Sequence, residues 1–171
     1  MSLSLTYSHP KHSDAALNES IQSILEANEL MGMATVRGSE AYVNTAYFAF
    51  NDQLDIFLLC EPTTQHSQNL IGNASMAATI FDSHQPWTAD KRGLQLFGKC
   101  QMATGVVLGE AVGRYLKRFV GLKQWVSSPD DILRGAINSK FYVMRVNSLK
   151  LFDEPRFGKE QFITLTPKRD G

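Results

Sequence analysis

The chain has 171 residues, 43% of them hydrophobic, and its 17 basic residues balance its 17 acidic residues. This length and apolar content are typical of one domain that can bury a full core. The charge balance excludes a nucleic acid or an anionic membrane as the expected main partner. No apolar stretch approaches the roughly 20 residues that cross a bilayer, and no signal-peptide pattern opens the chain, so we expect a soluble cytoplasmic protein.

Residues 1–13 are expected to form a flexible N-terminal tail, and residues 14–171 a single domain. Two histidines of this tail, His9 and His12, have a spacing that can suit a metal. Pro10 prevents a regular helix between them and no further ligand is near in sequence, so we predict no metal site.

The first periodic segment, "DAALNESIQSILEANEL", predicts an amphipathic helix of about 15 residues. Leu17, Ile21 and Leu25 recur at helical spacing, and Ser13 or Asp14 can cap the N-terminus. This helix should pack its apolar side on the core.

The period then changes to two, which predicts strands. "MGMATVR" and "AYVNTAYFAF" flank a turn at 38–40 and form a hairpin, in which Asn44 and Ala46 face one way and Val43 and Thr45 the other. "LDIFLLC", apolar at nearly every position, is expected to be covered on both faces. Three consecutive antiparallel strands make a meander.

A short helix is predicted from Gln65 to Gly72, with Thr63 or Thr64 as its cap, and a fourth strand from Met76 to Phe81. The fifth strand, "GLQLFGKCQMAT", contains Gly98, which indicates a bulge. The remaining predicted elements are a helix near 109–119, a short helix at "SSPDDILRGA", and strands at "KFYVMRV", "LKLFD" and "QFITLT".

Two cysteines, Cys60 and Cys100, lie within apolar strand-like runs. Without a framework of paired cysteines, the sequence predicts two free buried thiols, in agreement with a reducing compartment. Together the elements predict an α+β domain built on a small antiparallel barrel.

The order of these segments resembles the pyridoxamine 5′-phosphate oxidase-like family, the FMN-binding split barrels. The resemblance runs over about residues 20–160 and rests on the hairpin, the apolar strand, the Thr-containing loop "EPTTQHSQNL", an N-x-x-x-N pattern and the strand "GLQLFGKCQM". It implies a six-stranded antiparallel split β-barrel with flanking helices, FMN as cofactor, and a homodimer with its flavin sites at the interface.

In this family the loop after the third strand holds the FMN phosphate, which places Thr64, Gln65 and His66 where a Ser/Thr, Arg, Lys triplet commonly lies. Hydroxyls and free N–H groups at a helix N-terminus suit a phosphate dianion. Gln65 and His66 stand where cations are usual, so the cradle has less fixed charge. The cations considered as replacements are Arg37, Lys91, Arg92 and Lys159.

The resemblance also implies ring contacts along the second strand, at the end of the third and on the fifth. These residues are Val43, Asn44, Thr45, Ala46, Leu59, Cys60 and Gln95. Backbone amides there can stabilise the charge of reduced flavin. Without the resemblance, Asn44 and Gln95 would be interpreted as polar strand residues that face outward. The loop "EPTTQHSQNL" would be interpreted as a solvated helix cap.

The implied function is that of an FMN-dependent oxidoreductase acting on an unidentified small molecule. No catalytic residue is predicted, since the cofactor carries the redox step. The C-terminal "EPRFGKEQFITL" lacks the arginine-rich motif of the true oxidase, so vitamin B6 oxidation is not predicted. His84 and Trp87 form either a lid or an ordinary loop. Two alternatives stay open: a haem-binding or haem-degrading barrel with His66 or His84 as axial ligand, and a cofactor-free binding module.

Overall fold

The computed structural model describes residues 2–121 and 138–168. The short helix predicted at 127–136 lies outside the described residues. The helices are α1 (Asp14–Ala27), α2 (Gln65–Gly72), α3 (Gly105–Arg118) and α4 (Glu154–Phe157). The strands are β1 (Leu30–Arg37), β2 (Glu40–Phe50), β3 (Asp55–Cys60), β4 (Ser75–Phe81), β5 (Arg92–Met102), β6 (Lys140–Asp153) and β7 (Ile163–Leu165).

The strands pair antiparallel in the order β3-β2-β1-β4-β5-β6-β7, and β3 also pairs with β6. This last pairing closes the sheet, and the predicted six-stranded antiparallel barrel with flanking helices is confirmed. The predicted bulge on the fifth strand is also confirmed, because the β5–β6 register shifts between Phe97 and Gly98. A side chain at Gly98 would collide with the backbone carbonyl of Arg145.

The last long strand differs from the prediction, since β6 is one continuous strand where two were expected. Its first half pairs with β3 and its second half with β7. The polar pair Asn147 and Ser148 interrupts the apolar pattern between the two halves. The sequence therefore has the pattern of two strands because the two halves of β6 pair with different strands, β3 and β7.

The core has two parts, on opposite faces of β3. Ile56 and Leu58 lie inside the barrel with the apolar residues of α1. Phe57 points outward and packs with Phe141 and the buried side of α3. The prediction that this strand is covered on both faces is confirmed, and α3 is the element that covers the outer face.

The N-terminal segment is packed, and the expectation of a flexible tail is wrong. Leu3, Leu5 and Tyr7 are buried in the core beside α1. The Nδ2 of Asn18 donates to the Leu5 carbonyl at 2.7 Å, and the Tyr7 hydroxyl donates to Oδ1 of Asn18 at 3.1 Å. Apolar and hydroxyl residues alternate in this segment with the period of a strand. The apolar ones pack in the same core cluster as the apolar residues of α1. Farther along, His9 and His12 stack at 5.0 Å between ring centroids.

Local signals set the other boundaries. Ser13 caps α1, its Oγ accepting a hydrogen bond from the Ala16 N–H at 3.3 Å. Helix α3 begins at Gly105, earlier than predicted, because glycines at 105, 109 and 113 weaken the helical signal.

Both cysteines are free and buried, as predicted. Among the described residues, no helix has the length and apolar character needed to cross a membrane.

Candidate cofactor site

A cavity opens where β2 and β3 part. The two strands pair from Phe50–Ile56 to Phe48–Leu58 and no further. Beyond that point β2 continues along β1, and β3 continues along β6. The space between the diverging strands is a cavity of about 680 Å³, within the roughly 300–1,000 Å³ of common ligand pockets.

The walls of this cavity come from β2, the end of β3, α2 and α3. Among the residues predicted to bind a cofactor, it is lined by Asn44, Thr45, Ala46, Leu59, Cys60 and His66. The fold thus brings three separate stretches of sequence to one place. Burial raises the pKa of the Cys60 thiol to about 11, so this side chain acts as an apolar wall and not as a nucleophile.

The loop before α2 borders the cavity. Thr64 occupies the predicted N-cap position, but its hydroxyl makes no capping bond to the helix and donates instead to the Glu61 carbonyl at 2.7 Å. The same oxygen lies 3.0 Å from Nε2 of His66. The Thr64 hydroxyl also lies 3.0 Å from Oγ of Ser67, so it joins the loop to the first turn of α2 through two side chains.

The electrostatics of the loop depend on its neighbours. Burial lowers the pKa of His66, so its imidazole is neutral at neutral pH. Arg37, at the end of β1, donates from Nη1 to Oε1 of Gln65 at 3.4 Å. Gln65 donates in turn to Oδ1 of Asn69 at 2.7 Å, and Asn69 to the Thr35 hydroxyl at 3.0 Å. Of the four candidate cations, Arg37 is therefore the one that lies beside the loop.

The other candidate cations are engaged elsewhere in the chain. Lys91 lies over the ring of Trp87, 5.2 Å from its centroid. Arg92 forms an ion pair with the buried carboxylate of Asp153 at 3.2 Å. Lys159 follows α4 and interacts with the Glu154 carboxylate.

Four predicted contacts are not among the residues that line the cavity, and neither is the predicted lid. Two of the four, Thr64 and Gln65, lie at the start of α2, next to the cavity residue His66. Val43 and Gln95 line a shallower groove on the outer face of the sheet. His84 is exposed and pairs with Asp82 at 3.3 Å. Trp87 is 87% exposed and borders a separate groove with Lys91. Within one chain, His66 is the histidine at the cavity and His84 is not.

Sequence reasoning missed the wall that α3 supplies. Tyr115 and Phe119 line the cavity, and their rings lie 5.0 Å apart. The Tyr115 hydroxyl donates to the Tyr47 carbonyl at 2.6 Å and accepts from the Leu59 N–H at 3.2 Å. A tyrosine on the apolar side of a helix signals a hydroxyl that needs a buried partner, but the partner itself follows only from the fold.

Arg118 anchors the C-terminal end of α3. Its Nη2 donates to the main-chain carbonyls of Leu25, at 2.7 Å, and Asn28, both at the end of α1. Its guanidinium lies over the rings of Phe48 and Phe50, at 4.8 and 5.2 Å from their centroids. These contacts fix the helix that closes one side of the cavity.

No protein-family model matches the sequence, and no curated protein matches it. Solved structures do match in fold. A haem-binding protein from Mycobacterium smegmatis has a TM-score of 0.70 at 15% identity, over 91% of this chain and 59% of that protein. HutZ, the haem storage protein from Vibrio cholerae, has a TM-score of 0.60 at 14% identity, over 88% and 94% of the two chains.

A third similar structure belongs to the pyridoxinephosphate oxidase family. It is a Clostridium acetobutylicum protein related to general stress protein 26 of B. subtilis, with a TM-score of 0.59 at 11% identity, over 85% of this chain and 91% of that one. At such identities the likeness shows the fold alone. The chain has the split-barrel fold found both in haem-binding proteins and in the pyridoxinephosphate oxidase family.

Proposed function

We propose that the cavity between β2 and β3 binds FMN, and that the protein is an FMN-dependent oxidoreductase acting on a small molecule. The observation that supports this most strongly is the convergence of β2, the end of β3 and the α2 loop on one cavity lined by Asn44, Leu59 and His66. These segments are the ones that the family resemblance assigns to the flavin ring and phosphate.

The residues present suit both ends of such a ligand. The first turn of α2 leaves main-chain N–H groups that no side chain caps, which favours a phosphate. Because the acidic residue Glu61 lines the cavity and His66 is neutral, the phosphate needs a cation, and Arg37 lies beside the loop. The apolar and aromatic walls, with Tyr47 and Phe119, suit a planar ring.

When bound, FMN supplies the transfer of a hydride or an electron pair, with oxygen or a nicotinamide cofactor as second reactant. The chain itself binds and orients the ring, and its apolar walls exclude water. Asn44, Thr45 and Ala46 of β2 line the cavity, and their main-chain groups are the candidates to stabilise charge on the ring.

Haem is the second candidate, and His66 is the observation that favours it. Its imidazole lines the cavity and is neutral because burial lowers its pKa, so one of its two ring nitrogens carries a lone pair. A neutral imidazole is the form that ligates a metal. His84 has no such position in this chain.

We further propose that the chain acts as a homodimer through the outer face of its sheet. Gly32, Ala34, Val43, Ala77 and Phe97 border a shallow apolar groove there, and Val43 is 78% exposed. An exposed apolar face of this kind suits a second copy of the chain. Light scattering on the purified protein should give twice the chain mass, and a monomer would contradict the proposal.

The visible absorption spectrum of the purified protein separates the two cofactors. Bound flavin absorbs in the blue and near ultraviolet, whereas bound haem gives a Soret band. A colourless sample is then titrated with FMN and, separately, with haem, following the fluorescence of FMN and the Soret band of haem. Saturable binding of FMN at one site per chain supports the flavoprotein, and saturable binding of haem alone supports the haem protein. Binding of neither would favour a cofactor-free binding module.

A further inference from the structure

A side-chain hydroxyl occupies the point where β2 and β3 part. After Phe48 and Leu58, the next pair in the register would be Tyr47 and Leu59. These two residues do not pair. The hydroxyl of Tyr115 lies between them, 2.6 Å from the Tyr47 carbonyl oxygen and 3.2 Å from the Leu59 nitrogen.

At this point both strands are paired on their other sides. Tyr47 is opposite Leu30 on β1, and Leu59 is opposite Phe141 on β6. The unpaired step between Tyr47 and Leu59, called the seam below, is therefore a gap between two strands that are each paired on the other side. A buried main-chain N–H and C=O must each find a partner, and one hydroxyl, which both donates and accepts, serves the two groups while keeping them apart.

The position of this hydroxyl is set by α3 and not by the strands. Tyr115 is buried, and its ring packs against Phe119 and Phe141 at 5.0 and 5.2 Å between centroids. Burial also raises its pKa, so the hydroxyl keeps the proton that it donates. The helix thus holds a fixed spacer in the seam.

We infer that Tyr115 is a positioning residue that holds β2 and β3 apart and so sets the width of the cavity for a planar ring. The cavity is bounded by Asn44–Tyr47 on one side and Leu59–Glu61 on the other, and both segments begin at the seam. The part of this inference that concerns a ligand rests on the proposed function. The part that concerns the seam rests on the hydrogen bonds alone.

Tyr115→Phe keeps the ring and removes the spacer's polar atom. We expect the Leu59 amide to exchange with solvent about 10-fold faster, and the Kd for FMN to rise about 10-fold, as for the loss of one buried hydrogen bond. Amide exchange resolved by NMR and FMN fluorescence titration give the two readouts. An unchanged Leu59 exchange rate would overturn the role of the hydroxyl in the seam. Faster exchange with an unchanged Kd would overturn the positioning role.

Two variants control for general effects. Tyr142→Phe makes the same chemical change at a buried tyrosine whose hydroxyl has no partner among the described residues, and it should alter neither readout. Val112→Ala loosens the packing of α3 away from the cavity lining, and it should leave the Kd unchanged. If Val112→Ala weakens FMN as much as Tyr115→Phe does, the effect is loss of helix packing and the positioning role is wrong.

A wild-type protein that does not bind FMN would refute the proposed flavin function and, with it, the ligand part of this inference. The exchange of the Leu59 amide in Tyr115→Phe, compared with Tyr142→Phe, would still decide whether the hydroxyl bridges the seam. The two failures are therefore distinguishable.

Discussion

Arg118 offers the sharpest test of how the cavity wall is held in place. Its guanidinium donates to two carbonyls at the end of α1 and lies over the rings of Phe48 and Phe50. Truncation by Arg118→Ala removes all of these contacts at once. Because α3 carries Tyr115 and Phe119, we expect the substitution to lower both stability and ligand affinity.

The magnitude follows from the contacts. A hydrogen bond to a charged group contributes about 1.5–3 kcal/mol, and a partly desolvated cation–π contact about 0.5–2 kcal/mol. The helix-end carbonyls become accessible to water after truncation, and Nε of Arg118 is buried without a partner among the described residues, so its removal relieves a desolvation cost. We therefore expect a loss of about 2–3 kcal/mol in the free energy of unfolding, or roughly 5–10 °C in Tm.

Urea unfolding followed by circular dichroism measures this loss. Arg114→Ala is the matched control, because Arg114 lies one turn earlier on the same helix and pairs with Glu110 and Asp52 nearer the surface. Partly exposed pairs contribute about 1 kcal/mol or less. Equal losses for the two variants would refute the argument that Arg118 anchors α3.

Three further predictions concern the barrel and the loop. Gly98→Ala should destabilise the protein by about 3 kcal/mol because its Cβ would collide with the Arg145 carbonyl. The control Gly109→Ala, in open space on α3, should leave stability unchanged or raise it. Equal chemical denaturation midpoints for the two variants would contradict this prediction. Burial lowers the pKa of His66, so as the pH falls below about 6.5 the unfolded chain takes up a proton at this residue before the folded chain does, and the free energy of unfolding falls. In urea titrations between pH 7 and 5, this free energy should fall less for His66→Gln than for wild type. The same pH dependence in both proteins would show that His66 is not the cause. Arg37→Ala should raise the Kd for FMN about 10-fold in fluorescence titrations, while the exposed Lys99→Ala should not, and an equal effect of both would indicate only nonspecific attraction.

Local patterns were enough to predict much of the fold. The apolar run of β3 predicts burial on both faces, and the bounds of α2 and the bulge at Gly98 follow from their own residues. The N-terminal segment was harder, because the burial of Leu3 and Leu5 depends on the surface of α1 and not on any signal within the segment. The single strand β6 was harder for a similar reason, since its two halves pair with different partners.

Some residues of the candidate site could likewise be predicted from sequence, and others become evident only in the fold. The segments around Asn44, Leu59 and His66 could be named from sequence because family resemblance preserves their order, and the fold brings them to one cavity. Tyr115 could not, because its role depends on a seam between two strands that are distant from it in sequence. Gln95 lies outside the cavity because its side chain faces the outer surface of the sheet, which only the barrel geometry decides.

The central claim is that the α2 loop and the cavity beside it hold FMN, and one titration tests it most directly. FMN fluorescence is measured against wild-type protein, Gln65→Arg and the control Gln101→Arg, which adds the same charge on an exposed face of β5. We predict saturable binding to wild type, a lower Kd for Gln65→Arg, and an unchanged Kd for Gln101→Arg. No binding to folded wild type, or an equal Kd for all three, would contradict the assignment of this loop to the FMN phosphate.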